Sequence, residues 1–165
     1  MPTDFAALFS MLAAARTRYV VVGGLAVLLH GIDRLTADVD LVLDLAPEAT
    51  GDTVRALTAA GYRPMAPVDP MELADPERRS EWRTKRRMQV FSFWDSTNAR
   101  PTVDVMLKSP VPFEELWTQA TLFPIAGVEV RVASIPHLIR LKEAAGRPGD
   151  LADVARLRTL LEERE

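Results

Sequence analysis

Two aspartates, Asp38 and Asp40, stand two residues apart at the start of an apolar stretch. Alternate side chains of a β-strand lie on the same face, and positions two apart are separated by roughly 6.6 Å. Both carboxylates can therefore lean toward one cation. Without a cation, their like charges repel and drive one of them to protonate. Mg²⁺ is the natural cation for oxygen ligands, and it usually keeps places for waters and substrate phosphates.

The strand that carries this pair, over residues 36–45, is apolar on one face and acidic on the other. Asp44 lies roughly 13 Å beyond Asp40, so we leave it out of the site. The first face carries Ala37, Val39, Leu41, Leu43 and Leu45, and the second carries Thr36, Asp38, Asp40, Val42 and Asp44.

A third carboxylate, Asp104, lies on another predicted strand, over residues 100–108. Val103, Val105 and Leu107 share one face of that strand, and Asp104 lies on the other. A neighbouring position in the sheet could bring Asp104 beside the first pair.

Two adjacent glycines, Gly23 and Gly24, follow a strand predicted to begin at Tyr19 and precede a short helix that ends near Gly31. Glycines permit backbone angles that are closed to other residues, and they let a ligand approach the main chain. Free N–H groups at a helix start favour an anion such as phosphate. A phosphate-binding turn beside a carboxylate pair indicates nucleotide and metal chemistry.

Other interpretations of the aspartate pair remain open at this point. An isolated D-x-D also fits an amphipathic edge strand with solvated aspartates, although the glycine pair and Asp104 favour a site. The DVDLV segment also fits the D-x-D-x-[TV] pattern of haloacid dehalogenase-type phosphatases. In those proteins the aspartates end an apolar strand, whereas here the apolar strand follows them.

The composition is that of a soluble globular protein, with 48% apolar and 26% charged residues in 165. We predict one domain over residues 1–165, with a core over about 19–132 and a C-terminal helical segment over about 134–165. A net charge of −3 gives no global attraction to nucleic acid, and the absence of cysteine excludes thiolate metal sites. The N-terminal region predicts neither a signal peptide nor a membrane span, so we expect a cytoplasmic protein.

A basic segment over residues 75–87 stands out in this acidic chain. One interpretation is a surface that binds a triphosphate or an RNA backbone. The alternative is a solvated helix face, partly balanced by Glu77 and Glu81. The residues that could bind an acceptor are Arg83, Lys85, Arg86 and Arg87, and the segment also holds Arg78 and Arg79.

Helices are predicted both before and after these strands in the sequence. Thr3 or Asp4 can cap a first helix, and Ser134 can cap another that runs to about Ala145. Asp150 is expected to cap the last helix, in which apolar residues recur at helical spacing.

The order of these features resembles the DNA polymerase β-like nucleotidyltransferase superfamily: G-G, a helix, D-x-D opening a strand, and one Asp on a later strand. More narrowly, GGLAVLLHGIDRLTADVDLV and IPHLIRLKEAAGRPGDLADVARL resemble the small bacterial group that contains the AbiEii-type toxin nucleotidyltransferases. The resemblance covers about residues 19–45, Asp104 and residues 134–161.

This resemblance implies an α/β (α+β) fold, with a mixed β-sheet flanked by helices and a C-terminal helical segment. It also implies two Mg²⁺ ions, with Mn²⁺ as a substitute, and transfer of a nucleoside monophosphate from an NTP such as ATP. Asp38 and Asp40 would bind both metals. Asp104 would bind one metal and help to deprotonate the acceptor hydroxyl.

The same resemblance assigns the phosphate-binding residues. Backbone N–H groups of Gly23 and Gly24 would face the phosphates, although many relatives have Gly-Ser there and Gly24 lacks that hydroxyl. Arg34 and Thr36 match an R-x-T before the aspartates, and Arg34 could instead be a structural loop residue. Lys142 matches a basic position that meets the triphosphate.

Three assignments in these segments carry alternatives. Lys142 could be a surface lysine with a buried stem. His30 recurs in the narrower group, but a lone histidine at a helix end is more often a cap. Arg147 and Asp150 match the segment R-x-K-D of relatives, in which Gly149 replaces the lysine.

The acceptor is left open among an RNA or tRNA end, a protein and a small molecule. The narrower group also implies a role in a toxin–antitoxin pair, with an antitoxin as the partner protein. The competing hypothesis is an inactive domain of the same fold that binds a nucleotide or a partner protein without turnover.

Overall fold

The computed structural model describes residues 4–165. Its strands are β1 (Tyr19–Val22), β2 (Val39–Leu43), β3 (Tyr62–Pro64), β4 (Val90–Asp95), β5 (Val103–Met106), β6 (Thr121–Ile125) and β7 (Val128–Val132). Its helices are α1 (Phe5–Ala14), α2 (Gly23–Leu29), α3 (Pro47–Ala59), α4 (Pro76–Lys85), α5 (Phe113–Thr118), α6 (Ile135–Ala145) and α7 (Pro148–Glu163). A 3₁₀ helix spans Pro70–Ala74.

The strands form one mixed sheet in the order β3-β4-β5-β2-β1-β7-β6. Strand β2 runs antiparallel to β1 and parallel to β5, so the two aspartate-bearing strands are direct neighbours. Strands β4 and β3 extend the sheet beyond β5, and β7 and β6 extend it beyond β1. The predicted fold class, a mixed sheet flanked by helices with a C-terminal helical segment, is confirmed.

The pairing of the strands shows which residues lie on each face of the sheet. Tyr19 pairs with Leu43, and its ring stacks on Phe9 of α1 with a centroid distance of 6.0 Å. Trp82 of α4 stacks on Phe91 of β4 at 5.2 Å. Helices α1 and α4 therefore cover the apolar face. The opposite face carries Asp40 and Asp104.

The loop that leads into β5 is fixed by one buried carboxylate, Asp95, at the end of β4. It accepts hydrogen bonds from the Thr97 N–H and hydroxyl and from the Arg100 backbone and side chain. Burial by itself raises the pKa of Asp95, but these hydrogen bonds outweigh burial and hold the pKa well below its usual range. This turn sets where β5, and with it Asp104, begins.

The predicted helix ends agree in part with the structure. Asp4 caps α1, since its Oδ1 accepts a hydrogen bond from the Ala7 N–H at 2.9 Å, whereas Thr3 lies outside the described residues. The expected cap of the last helix, Asp150, is wrong. Pro148 begins α7 and Arg147 is its N-cap, because the Asp150 carboxylate reaches back to the Arg147 N–H at 3.3 Å.

Candidate active site

Asp40 and Asp104 lie directly opposite each other on the parallel strands β2 and β5. Neighbouring strands are about 4.8 Å apart, so two carboxylates from distant parts of the chain face the same space. The sheet thus places Asp40 and Asp104 on one face. Asp38 is exposed and lies just before β2, which begins at Val39 and not at Thr36 as predicted, so the register assigns it no face.

Burial and the charges of neighbouring carboxylates disfavour ionisation of Asp38 and Asp40. The pKa of Asp40 is raised to about 6, chiefly by burial and then by the charges of Asp104 and Asp38, against the opposing effect of Lys142 and Arg147. Burial also raises the pKa of Asp38, with a further contribution from the charge of Asp104. A cation between these groups would relieve the repulsion.

Ser92 of β4 holds the third carboxylate in place. It pairs with Asp104 in the antiparallel register, and its hydroxyl donates a hydrogen bond of 2.6 Å to Asp104 Oδ1. The bond fixes one of the two carboxylate oxygens of Asp104. Sequence reasoning missed Ser92, because its role depends on a register that the pattern QVFSFW does not give.

Gly23 lies in close contact with the Asp40 carboxylate. Its φ of +68° is in the left-handed region, and a Cβ at this position would overlap Asp40 Oδ2 and lie 2.7 Å from Asp40 Cγ. The main chain of Gly23 therefore lies directly against the Asp40 side chain. Both glycines lie in the first turn of α2, after a strand that ends at Val22, close to the predicted boundary.

Gly24 makes room for two other predicted residues. A Cβ at Gly24 would lie 2.8 Å from Arg34 Nε and 3.4 Å from Thr36 Oγ1. Arg34 and Thr36 thus lie beside the main chain of Gly24. The Thr36 hydroxyl also donates a hydrogen bond of 3.2 Å to the Asp38 carbonyl, which fixes the segment that enters β2.

Lys142 lies at the centre of a network of charged groups. It is only 6% exposed, so the alternative of a surface lysine is wrong. Its Nζ lies 2.9 Å from Asp153 Oδ2 and 3.4 Å from Asp150 Oδ1, and Arg34 pairs with the same Asp153 oxygen. Burial lowers the pKa of Lys142, and the nearby Arg34 charge lowers it further.

Arg147 extends this network on the side of α7. Its Nε lies 2.7 Å from Asp150 Oδ2. Burial by itself raises the pKa of Asp150, but the bond from Arg147 and the charges of Lys142 and Arg147 outweigh burial and lower it. Asp150 and Asp153 are therefore structural counterions. Asp153 was missed in the sequence, where it looks like any polar residue of an amphipathic helix.

A cleft of about 780 Å³ is lined by Gly23, Asp40 and Asp104 together with several cationic side chains. The predicted site residues Asp38, Gly24, Arg34 and Thr36 do not line it. Arg83, Arg87 and Lys108 lie on the side of α4 and β5, and Lys142 and Arg147 lie on the side of α6 and α7. Apolar side chains complete the lining, among them Met88, Val90, Met106 and Leu141.

Only some residues of the basic segment over 75–87 line the cleft. Arg83 and Arg87 line the cleft, whereas Lys85 and Arg86 are exposed and do not line it. Lys85 faces Glu81 at 4.0 Å, and Arg78 lies within ion-pair distance of Glu81 as well. Arg79 has a structural role, because its buried guanidinium donates to backbone carbonyls that include Leu45 O at 3.2 Å.

His30 is the C-terminal cap residue of α2, as the cap interpretation predicted. Its Nε2 lies 2.9 Å from the Ala133 carbonyl oxygen, and its ring meets Phe123 edge-on. Burial lowers the pKa of His30. The residue therefore joins α2 to the end of β7.

Within residues 4–165, no group of three or more His, Cys, Asp or Glu side chains is arranged to hold a metal ion by itself. Mg²⁺ does not require such a group, because it is usually bound by one or two carboxylates and its coordination is completed by water and substrate phosphates. Asp40 and Asp104 supply two such carboxylates, and Asp38 lies close enough for its pKa to respond to Asp104.

Over the same part of the chain, no helix is both long and apolar enough to cross a bilayer.

Comparison with known proteins gives a fold but no sequence family. No protein-family model matches the chain, and no curated protein sequence shows significant similarity to it. The structure of ANT(2″)-Ia in complex with adenylyl-2″-tobramycin is similar at 18% identity, with a TM-score of 0.55 over 94% of this chain and 87% of that one.

Two further solved structures have the same fold. Lincosamide antibiotic adenylyltransferase LnuA, bound to lincomycin, is 13% identical, with a TM-score of 0.60 over 96% of this chain and 98% of that one. A putative nucleotidyltransferase from Thermotoga maritima is 15% identical, with a TM-score of 0.50 over 95% and 89% of the two chains. The chain therefore has the nucleotidyltransferase fold. Membership of the AbiEii-type group stays a prediction.

Proposed function

We propose that this protein is a Mg²⁺-dependent nucleotidyltransferase, which transfers a nucleoside monophosphate from an NTP to an acceptor hydroxyl. The observation that carries the proposal is the pairing of Asp40 with Asp104 across β2 and β5, in a cleft that Gly23 and Lys142 also line. The neighbours support the reaction type, since two of them are adenylyltransferases or hold an adenylylated product by name.

In this proposal Asp104 acts on the acceptor. The hydrogen bond from Ser92 occupies its Oδ1, and Oδ2 remains to accept the proton of the attacking hydroxyl. In the transfer, the acceptor oxygen bonds to the α-phosphorus, the bond from that phosphorus to the bridging oxygen breaks, and pyrophosphate leaves with its electron pair. Mg²⁺ held by Asp38, Asp40 and Asp104 would neutralise charge on the phosphates during this exchange.

The triphosphate would lie between α2 and α6. The backbone N–H groups of Gly23 and Gly24 would donate to phosphate oxygens, with Arg34 and Thr36 beside them. Lys142 would supply positive charge from the opposite side, already desolvated and held by Asp150 and Asp153. A pre-ordered cation of this kind loses little side-chain entropy when it binds phosphate.

For the acceptor we propose an RNA end, for example that of a tRNA. Arg83, Arg87 and Lys108 line the cleft in a chain whose net charge is −3, and this local positive charge supports a polyanionic acceptor. These three cations should attract a polyanion more strongly than a neutral or cationic small molecule. The corresponding biological role is that of a cytoplasmic, single-domain toxin that is paired with an antitoxin protein. This role rests on the sequence resemblance alone.

Two departures from the family pattern favour a second candidate, an inactive domain that binds a nucleotide or a partner protein. Gly24 replaces the serine of many relatives, and Gly149 replaces a lysine. At Gly24 the space of the missing side chain is taken by the Arg34 guanidinium, which offers its own donors there. We therefore rank the transferase first.

A labelling experiment tests the transferase. The protein is incubated with Mg²⁺ and each NTP radiolabelled at the α-phosphate, with bacterial RNA, protein or small-molecule fractions as acceptors. Asp40→Asn and Asp104→Asn are the test variants, and Asp52→Asn, at an exposed position in α3, is the matched control. We expect label in the RNA fraction with the wild type and the control only.

The other outcomes separate the candidates. Magnesium-dependent NTP binding by calorimetry without transfer to any fraction would favour the inactive domain. If the protein shows no transfer and no NTP binding, the transferase and the nucleotide-binding domain are both overturned, and only a domain that binds a partner protein is left. Label in the protein or small-molecule fraction would support the transferase and overturn the RNA acceptor.

A further inference from the structure

The face of the sheet that carries Asp104 continues past the cleft onto β4 and β3. Ser92 hydrogen-bonds to Asp104, so its side chain lies on that face. Trp94 and Val90, two residues away on either side along β4, therefore share the face with Ser92. Met65 follows β3 and is joined to this strip by a backbone hydrogen bond from its N–H to Ser92 O, at 2.9 Å.

This strip is apolar and exposed. Trp94 is 39% exposed, Val90 40% and Met65 58%, whereas Phe93 and Asp95, which flank Trp94, are 0% and 3% exposed. Few large apolar side chains are exposed to solvent within residues 4–165. Three of them lie next to Ser92, which hydrogen-bonds to Asp104. The clustering makes this strip a candidate contact surface.

Trp94 differs from the other two tryptophans in its environment. Trp82 is buried against Phe91, and Trp117 lies under the guanidinium groups of Arg18 and Arg131, at 4.8 Å and 3.9 Å from the ring centroid. Trp94 lies at the open side of the sheet, across from Arg63 of β3. Its indole ring is available to a ligand.

The distance from Trp94 to Asp104 suits one nucleotide. Trp94 is displaced by roughly 6.6 Å along β4 from Ser92, and β4 lies about 4.8 Å from β5, which places Trp94 roughly 8 Å from Asp104. The ribose hydroxyl and the base of a nucleotide are separated by a comparable distance. A terminal ribose at Asp104 can therefore put its own base on the indole ring.

We propose that Trp94 is a stacking surface for the terminal base of the RNA acceptor, which fixes the terminal hydroxyl at Asp104. The proposal rests on the proposed function and extends it to a residue that binds the acceptor. The charge of the cleft favours RNA as the occupant, since Ser92 of the same strand face bonds to Asp104, which lines the cleft with Arg83, Arg87 and Lys108, although Trp94 itself does not line it. Stacking on an aromatic side chain is available to any base, so we expect broad base tolerance.

The test measures RNA binding to the full chain without NTP, and thus without turnover. The probes are a short single-stranded RNA and the same RNA with an abasic 3′-terminal nucleotide. The variants are Trp94→Ala and Trp94→Phe, with Leu122→Ala as the control, because Leu122 is also exposed, at 46%, but lies on β6 at the other edge of the sheet. Urea unfolding confirms that each variant is folded.

We expect Trp94→Ala to weaken binding of the intact RNA roughly ten-fold, and Trp94→Phe to retain most of the affinity. The abasic RNA should bind wild type and Trp94→Ala equally weakly, and Leu122→Ala should bind both RNAs as the wild type does. Intact RNA should also quench tryptophan fluorescence in the wild type, and this quenching should be lost in Trp94→Phe.

The proposal is overturned if Trp94→Ala weakens the intact and abasic RNAs by the same factor, or neither of them. It is also overturned if the variant loses binding to a protein fraction while RNA binding is unchanged, since the strip would then be a protein-binding surface. Its failure is distinct from failure of the transferase, because the labelling experiment with Asp104→Asn does not depend on Trp94.

Discussion

Asp153 Oδ2 lies 2.9 Å from Lys142 Nζ, in an ion pair whose side chains are 6% and 7% exposed. Arg34 pairs with the same oxygen from the loop before β2. A single carboxylate of α7 thus holds two cations that come from different parts of the chain. Both cations are among the groups that we propose to bind the triphosphate.

Replacement of Asp153 by alanine should lower both stability and nucleotide affinity. Removing one partner leaves buried Lys142 without its closest counterion, a change that costs about 3–5 kcal/mol in buried pairs. Glu143→Ala is the matched control, because it breaks an ion pair with Arg158 whose side chains are 47% and 57% exposed, and should cost less than about 1 kcal/mol. Urea unfolding and NTP titration measure the two effects. Equal losses of stability in the two variants would contradict the role of Asp153.

Stability without Mg²⁺ should fall as the pH rises from about 4 to about 6. The pKa of Asp40 is raised from 3.8 to about 6, so in this window the folded protein holds a proton that the unfolded chain has released. The free energy of unfolding therefore decreases by up to about 3 kcal/mol across the window and then levels off. Denaturant unfolding at a series of pH values measures this change.

Asp40→Asn should remove this dependence and be more stable than the wild type at neutral pH, whereas Asp52→Asn should behave as the wild type. Mg²⁺ should stabilise the wild type more above pH 6 than below pH 4, because protonated carboxylates bind the ion poorly. A wild-type profile that is unchanged by Asp40→Asn would refute the electrostatic account of the site.

Gly23→Ala should be more damaging than the same change at another glycine of similar conformation. Gly127 has a φ of +80° and no atom within 4 Å of a Cβ, whereas a Cβ at Gly23, with a φ of +68°, would overlap the Asp40 carboxylate. Both variants carry the backbone strain of roughly 1–2 kcal/mol, but only Gly23→Ala must also displace Asp40. We expect loss of nucleotidyl transfer in Gly23→Ala and retention in Gly127→Ala, measured beside urea unfolding. Retained transfer in both would mean that Asp40 need not be held in this position.

Charge in the cleft should govern the salt dependence of RNA binding. The double variant Arg83→Gln, Arg87→Gln removes two cations that line the cleft, and Lys85→Gln, Arg86→Gln removes two nearby cations that do not. The slope of log affinity against log salt should decrease by about 0.7 for each phosphate that the first variant no longer neutralises, and it should stay near the wild-type slope in the second. Equal slopes for the two variants would place the RNA elsewhere on the surface.

The positions of Asp40 and Asp104 were predictable because they depend on local patterns. Strand alternation put each of them on the face opposite an apolar stripe, whereas Asp38, predicted on the same strand as Asp40, precedes β2. The strand spacing also excluded Asp44, which pairs instead with Arg18 at 3.0 Å. The fold followed from the resemblance and was confirmed by the neighbours.

The remaining features depend on contacts between distant elements. Six basic residues over 75–87 look alike in the sequence, but the end of α4 directs only Arg83 and Arg87 into the cleft. Ser92 required the β4–β5 register, and Asp153 required the packing of α7 against α6. Trp94 looks like an ordinary strand residue until its neighbours are known. Neither periodicity nor composition contains that information.

The order of the strands along the chain has a consequence during synthesis. Asp40 emerges from the ribosome long before Asp104, and Lys142 and Asp153 come later still. A nascent chain that carries β1 and β2 therefore has half of the carboxylate pair and neither the residue that would accept the acceptor proton nor the buried lysine. The proposed transfer would require α6 and α7 to have packed, so a nascent chain that has not yet reached Asp153 lacks part of the proposed site.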